Sequence, residues 1–228
     1  MNTSSSSNGA AFIDLDRTLL SGASGPIISA ALRNAGVVSA TRLPGEDALY
    51  RIFNAVGENL PSMLLARQGA AVMKGKARHD VVAAAQNACD DLLQLVRPLA
   101  ASVIAGHREA GRKVVLATTT PNDVIATFAR RMGFDDVVAT RFAVDEQGLY
   151  TGELDGPFTW SAGKLAAVRT WCSHHHISLS ESYAYSDSVY DEPLLNAVGF
   201  PQVVNPDARL TVMAAARRWP IVSFDNPD

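Results

Sequence analysis

The chain has little of several features by which proteins are commonly classified. It contains two cysteines, Cys89 and Cys172, and neither belongs to a C-x-x-C pair, so we expect no disulfide framework or zinc knuckle and a reducing, cytoplasmic setting. No apolar run approaches the roughly 18 residues of a membrane-spanning helix, so we expect no membrane insertion. The net charge of -3 gives no reason to expect a nucleic-acid partner.

The composition is otherwise that of an ordinary folded protein. The 228 residues are 47% hydrophobic and 19% charged, which suits one sizeable core or a core domain with a smaller insertion. The first nine residues are rich in serine and contain no basic residue, so we expect a disordered tail over 1–9 rather than a signal or transit peptide.

Apolar runs of strand length alternate with stretches of helical periodicity. A run over 10–15 and a second over 114–117, which closes on Thr118, are typical of buried parallel strands. The alternation predicts an α/β fold with a mostly parallel sheet. Further strands are expected over 137–138, 183–185 and 202–204, a hairpin over 140–151, and helices from the stripes 27–32, 49–56, 63–65 and 81–93 and from about residue 162.

A helical region near the N-terminus interrupts this alternation. Residues between about 20 and 105 carry only helical patterns, so we expect an inserted cap that covers the ligand crevice at the carboxyl ends of the strands. The predicted division is a core domain of 10–20 and 106–228 with a helical cap domain of 21–105.

Polar clusters follow the predicted strands. Asp14 and Asp16 follow the first strand, and residues two apart in an extended segment project to the same side, so both carboxylates are expected to face one pocket. Their repulsion requires a cation or a shared proton, and ligands that are all oxygen favour Mg²⁺. Helix capping or turn formation is the alternative for this pair.

Four motifs stand in order along the chain. They are Asp14, Asp16 and Thr18; Thr118 after the second strand; Lys164 after a glycine; and Asp187 with Asp191 after a later strand. In type and order they resemble the motifs of the haloacid dehalogenase superfamily, in particular the phosphoserine-phosphatase-like subfamily IB with a helical C1 cap. The resemblance covers nearly the whole chain and implies a Rossmann-like three-layer core with an inserted cap.

The resemblance also implies a magnesium-dependent phosphatase that acts on a small phosphorylated metabolite. Asp14 would attack phosphorus and become an aspartyl phosphate, and Asp16 would serve as general acid and base. The implied catalytic residues are Asp14, Asp16, Thr118 and Lys164, and the implied phosphate-binding residues are Thr18, Thr118 and Lys164. The implied Mg²⁺-binding residues are Asp14, Asp16, Asp187 and Asp191. Asp191 would act through water or by orienting Lys164.

Alternatives stay open for several of these positions. Thr119 or Thr120 is an alternative to Thr118. The alternative for Lys164 is an exposed lysine on a helix, and that for Asp191 is a solvated residue at a helix start. The default expectations are a solvated loop for His174–His176, core packing for Phe53, Met63 and Met73, and solvent exposure for Arg33, Arg51, Arg67 and Arg78.

The substrate is not fixed by the motifs. Phosphoserine phosphatases carry an acidic residue shortly after the first motif for the substrate's ammonium group. Here 21–25 holds none, and no carboxylate occurs between Asp16 and Glu46. Phosphoserine is therefore disfavoured. The alternatives to hydrolysis are phosphotransfer through the same intermediate and a catalytically silent module that binds a phosphorylated ligand, and the sequence predicts no oligomeric state.

Overall fold

A parallel sheet lies at the centre of the molecule. The computed structural model describes residues 8–39 and 60–225. Its strands are β1 (Ala10–Ile13), β2 (Lys113–Pro121), β3 (Asp136–Thr140), β4 (Phe142–Val144), β5 (Tyr150–Leu154), β6 (Tyr183–Ser186), β7 (Phe200–Val204) and β8 (Ile221–Val222). Six of them form a sheet in the order β3-β2-β1-β6-β7-β8 with every pair parallel, while β4 and β5 form a separate antiparallel hairpin. The predicted α/β fold with a mostly parallel sheet is confirmed.

Helices cover the sheet. They are α1 (Gly25–Asn34), α2 (Leu60–Met73), α3 (Arg78–Asn87), α4 (Cys89–Gln94), α5 (Ala100–Glu109), α6 (Asn122–Arg131), α7 (Ala162–His175), α8 (Glu192–Ala197) and α9 (Ala208–Arg217). Within the residues that the structure describes, none is long and apolar enough to cross a bilayer.

The side chains of β1 alternate between two apolar layers. Ala11 and Ile13 pack into one cluster with side chains of α5 and α6, whereas Ala10 and Phe12 pack into another with side chains of α7, α8 and α9. All four are buried, which explains why β1 is an uninterrupted apolar run. The sheet is therefore the middle of three layers, as the resemblance implied.

The region between β1 and β2 is helical, with α1 to α5 in its described part. The stripe 81–93 forms two helices, α3 and α4, rather than one. At the break the Ala88 N–H donates to the Ala85 carbonyl, three residues earlier. Met63 and Met73 are buried, as expected of core residues. The stripe 49–56, Phe53, Glu46 and Arg51 lie outside the described residues.

The predicted domain division stays a prediction. Its second boundary, between 105 and 106, lies inside α5, whose Ala100 and Ile104 pack into the apolar layer beside β1. At the N-terminus, the last two residues of the predicted tail are ordered: Asn8 accepts a hydrogen bond from the Ser178 N–H, and Gly9 is buried.

One loop prediction was wrong. His174 and His175 form the last turn of α7, and only His176, at φ 56°, leaves the helix in a left-handed cap conformation. All three side chains are exposed, as expected. His175 also stacks on Trp171 one turn earlier, a contact that favours continuing the helix to this residue.

Candidate active site

The carboxyl ends of β2, β1 and β6 lie side by side, and the conspicuous polar side chains are gathered there. The Asp14 N–H donates to the Tyr185 carbonyl at 3.0 Å, which ties the residue after β1 to β6. The chain then turns over Leu15–Leu19, and Arg17 in this turn has a left-handed φ of 63°. The turn directs three polar side chains of the first motif to different partners.

Lys164 joins the first and fourth motifs. Its side chain is completely buried, and its Nζ donates to Asp14 Oδ1 at 2.9 Å and to Asp191 Oδ2 at 2.7 Å. Asp191 Oδ2 also accepts from the Ser186 hydroxyl at 2.7 Å, while its buried Oδ1 accepts no hydrogen bond from the described residues. The alternative of an exposed helix lysine is excluded, and so is a solvated helix start for Asp191.

Local backbone features place Lys164 there. The residue lies in the first turn of α7, after Ser161, whose φ of 51° is unusual for a residue with a side chain. A Cβ at Gly163 would overlap the Phe158 carbonyl oxygen, so only glycine allows the chain to pass so closely before the lysine. The glycine that precedes the lysine is therefore a packing requirement of this turn.

Asp187 is held by the turn after β1. Its Oδ1 accepts from the Thr18 hydroxyl at 3.0 Å, its N–H donates back to that hydroxyl at 2.9 Å, and its Oδ2 accepts from Arg17 Nε at 2.9 Å. Burial raises the pKa of Asp187 to about 6, and Arg17 and Thr18 oppose this shift because they stabilise the ionised form.

Thr18 was predicted to bind phosphate. In this geometry its single hydroxyl hydrogen is donated to Asp187, so the structure gives it a role in positioning that carboxylate. Direct contact of Thr18 with phosphate stays a prediction.

Asp16 lies opposite the start of α1. Its Oδ1 accepts from the Ser24 N–H and its Oδ2 from the Thr120 hydroxyl at 3.3 Å. Burial raises the pKa of Asp16, and the hydrogen bonds from Ser24 and Thr120 and the nearby charge of Lys164 lower it by less. A carboxyl group with a raised pKa is suited to donating a proton.

The three consecutive threonines at the end of β2 have different partners. The buried Thr118 hydroxyl accepts from the Thr120 N–H at 3.1 Å, Thr119 donates to the Thr159 carbonyl at 2.8 Å, and Thr120 donates to Asp16. β2 runs on through all three residues to Pro121, so Thr118 lies within the strand rather than after it. The accepted bond leaves the hydroxyl hydrogen of Thr118 able to point to a ligand, which favours it over Thr119 and Thr120 for phosphate binding.

The charges of the site favour a divalent cation. Four carboxyl groups surround two cationic ones, Lys164 and Arg17, which leaves two negative charges when all are ionised. No three side chains of His, Cys, Asp or Glu in residues 8–39 and 60–225 form a ready-made ligand set. Mg²⁺ needs only one or two protein carboxylates besides water and phosphate, so Asp14 and Asp187, on adjacent strand ends, fit such an ion.

The structure thus brings together all seven residues predicted from the motifs. Sequence reasoning missed Arg17, Ser24 and Ser186, which contact the predicted carboxylates, and Arg97, which donates to the Arg17 carbonyl; it named Thr120 only as an alternative to Thr118, not as a partner of Asp16. Arg17 was visible as the one cationic residue inside the first motif. Arg97 carries no sequence signal, since it is far from every motif along the chain.

Comparison with known proteins agrees with the fold and the site. The family model for haloacid dehalogenase-like hydrolases matches residues 11–196, and the chain belongs to this family. It is an enzyme of the phosphatase class within it, as its motifs predicted.

Two relatives illustrate the range of similar proteins. The inhibition of morphological differentiation protein of Streptomyces azureus is 34% identical over 220 residues, which are 96% of this chain and 79% of that protein. A phosphoserine phosphatase of Mycobacterium tuberculosis is 31% identical over 218 residues, which are 94% of this chain and 70% of the relative.

Solved structures share the fold. A protein of unknown function from Bordetella pertussis Tohama I is 28% identical, with a TM-score of 0.77 over 94% of this chain and 98% of that one. A substrate-bound phosphoserine phosphatase has a TM-score of 0.63 at 18% identity, over 96% of this chain and 94% of that one, and supports the fold alone.

Proposed function

We propose that this protein hydrolyses a small phosphomonoester through an aspartyl phosphate on Asp14, with Mg²⁺ as cofactor. The observation that carries the proposal is the buried amino group of Lys164 between Asp14 and Asp191, 2.9 and 2.7 Å away. A buried lysine that bridges two carboxylates beside a turn rich in donors neutralises the charge of a bound phosphoryl group.

In the first step a carboxylate oxygen of Asp14 forms a bond to phosphorus while the bond from phosphorus to the leaving oxygen breaks. Protonated Asp16, whose pKa is raised by burial, gives its proton to that oxygen. Lys164 and the Thr118 hydroxyl hold the phosphoryl oxygens, and Lys164 keeps Asp14 oriented.

In the second step Asp16 takes a proton from water. The water oxygen bonds to phosphorus, and the bond between Asp14 and phosphorus breaks. Asp14 and Asp187 would hold Mg²⁺ with the Asp16 carbonyl oxygen, and the ion would neutralise charge on the phosphoryl oxygens. Thr18 fixes the direction of Asp187, and Asp191 fixes that of Lys164.

The substrate is proposed to be one whose recognition does not need a carboxylate near α1. Ser24 contacts Asp16 and Thr120, so the segment 21–25 borders the site, and it contains no acidic residue. A substrate ammonium group would find no carboxylate to pair with in this segment.

Release of phosphate from p-nitrophenyl phosphate with Mg²⁺ tests the activity. We expect turnover by the wild type and by Asp155→Asn, an exposed control, and none above background by Asp14→Asn. Full turnover by Asp14→Asn would refute the mechanism. A panel that includes phosphoserine and lysophosphatidate tests the substrate, and a preference for phosphoserine over the other monoesters would refute the argument from the segment 21–25.

A further inference from the structure

The guanidinium group of Arg97 connects the turn after β1 with the C-terminal segment, by which we mean residues 223–225 after β8. Its Nε and Nη2 donate to the Arg17 carbonyl at 3.3 and 3.0 Å, and its Nη1 lies 2.6 and 2.7 Å from the two carboxylate oxygens of Asp225. The Arg97 side chain is 12% exposed. A planar guanidinium that binds both partners at once has little freedom to move.

The backbone at Arg17 is a part of the site that needs such support. Its φ of 63° is rare for a residue with a side chain and persists only where the surroundings hold it. The Arg17 N–H donates to the Gly22 carbonyl at 3.2 Å, and Arg97 binds the carbonyl oxygen. Rotation at this residue would turn Asp16 and Thr18, its neighbours, away from their partners.

The other end of the connection is anchored in the fold. Asn205 follows β7 and donates through its side chain to Asp225, while the Phe224 N–H donates to the Asn205 side-chain oxygen at 3.3 Å. Phe224 is buried, and its carbonyl accepts from the Leu99 N–H at 2.9 Å. Asp225 is therefore a fixed acceptor that orients Arg97.

From this geometry we infer that Arg97, oriented by Asp225, is a positioning residue of the phosphatase site. It holds the Arg17 carbonyl and thereby fixes Asp16, the general acid, and Thr18, which directs Asp187. The inference rests on the proposed function. It extends the site to a strand end, that of β7, and to a C-terminal segment, neither of which contains a family motif.

Steady-state kinetics of four full-length variants test the inference. Arg97→Lys keeps the charge but not the double contact, and we expect kcat to fall about 10- to 100-fold with KM nearly unchanged, because misplacement of catalytic groups acts mainly on the chemical step. Asp225→Asn should lower kcat about 3- to 10-fold, and Asp225→Glu should restore most of it. Arg131→Lys is the matched control, since Arg131, in the last turn of α6, forms an ion pair with Asp90 on the surface.

The two positions should also depend on each other. In the double variant Arg97→Lys/Asp225→Asn the fall in kcat should be smaller than the product of the single effects, because both act through one connection. Circular dichroism melts establish that each variant is folded, and Asp225, 46% exposed at its side chain, keeps the test open if the Arg97 variant does not fold.

The outcomes are distinct. Folded Arg97→Lys or Asp225→Asn with kcat within about twofold of the wild type would overturn the inference, as would losses equal to those of the control or effects that multiply. A wild type without turnover would instead overturn the proposed function, and this inference with it.

Discussion

Replacing Lys164 by methionine keeps most of its volume and removes its charge. Asp14 and Asp191 would then be two buried carboxylates without their shared cation, and among residues 8–39 and 60–225 the Ser186 hydroxyl is the hydrogen-bond donor that Asp191 would keep. Removal of one partner from a buried ion pair typically costs about 3–5 kcal/mol. We therefore expect Lys164→Met to lower the free energy of unfolding by at least about 3 kcal/mol, a large part of the stability of a typical domain.

Urea unfolding followed by circular dichroism, with linear extrapolation, measures this loss. Lys113→Met, at an exposed position at the start of β2, is the control and should change stability by less than about 0.5 kcal/mol. Mg²⁺ should reduce the loss, because a cation at Asp14 replaces part of the missing charge. Asp191→Asn added to Lys164→Met should recover stability, since it removes one uncompensated carboxylate.

The reasoning would be refuted by a loss below about 1 kcal/mol for Lys164→Met, or by strictly additive effects of the two substitutions. Either result would mean that the buried lysine and its carboxylates do not depend on each other.

Two further predictions concern the surroundings of the site. Burial and the charge of Arg112 lower the pKa of His107 to about 4, so between about pH 6.5 and 4 the unfolded chain binds a proton that the folded chain does not. The free energy of unfolding should therefore decrease by up to about 3 kcal/mol as the pH is lowered through this range. Urea unfolding of His107→Gln should show a flatter pH profile over the same range. Gly163→Ala should lower the free energy of unfolding in urea by about 1–3 kcal/mol and should lower kcat, because the new methyl group must displace the Phe158 carbonyl and with it Lys164. An unchanged free energy of unfolding would contradict this account of the turn.

The core of the fold could be predicted because its strands are buried on both faces. A strand such as β1 must then be apolar throughout and must end where polar residues begin, so its position and the place of Asp14 are visible in the sequence. The break at Ala88 was not visible, because the apolar stripe continues across it while the backbone does not. Similarly, His174 and His175 offer no apolar periodicity, and the stacking of His175 on Trp171, which favours the helix there, has no such signal in the sequence.

The site was predictable where residues act close to a motif. Asp14 and Lys164 were expected in one site, with Asp191 acting through water or by orienting Lys164, and the three form one buried ion-pair group. The contact of Thr18 with Asp187 depends on the left-handed turn at Arg17, which neither composition nor spacing reveals. The contact of Arg97 with the Arg17 carbonyl joins residues that are far apart along the chain, so the sequence does not reveal it either.

The most direct test of the central claim is to find the phosphoryl group on the enzyme. Protein mixed with p-nitrophenyl phosphate and Mg²⁺ is quenched in acid, digested and analysed by peptide mass spectrometry, beside Asp14→Asn treated in the same way. A phosphoryl adduct on the Asp14 carboxylate of the wild type, absent from the variant, is the predicted result. An adduct on another residue, or turnover by Asp14→Asn at the wild-type rate, would contradict the account.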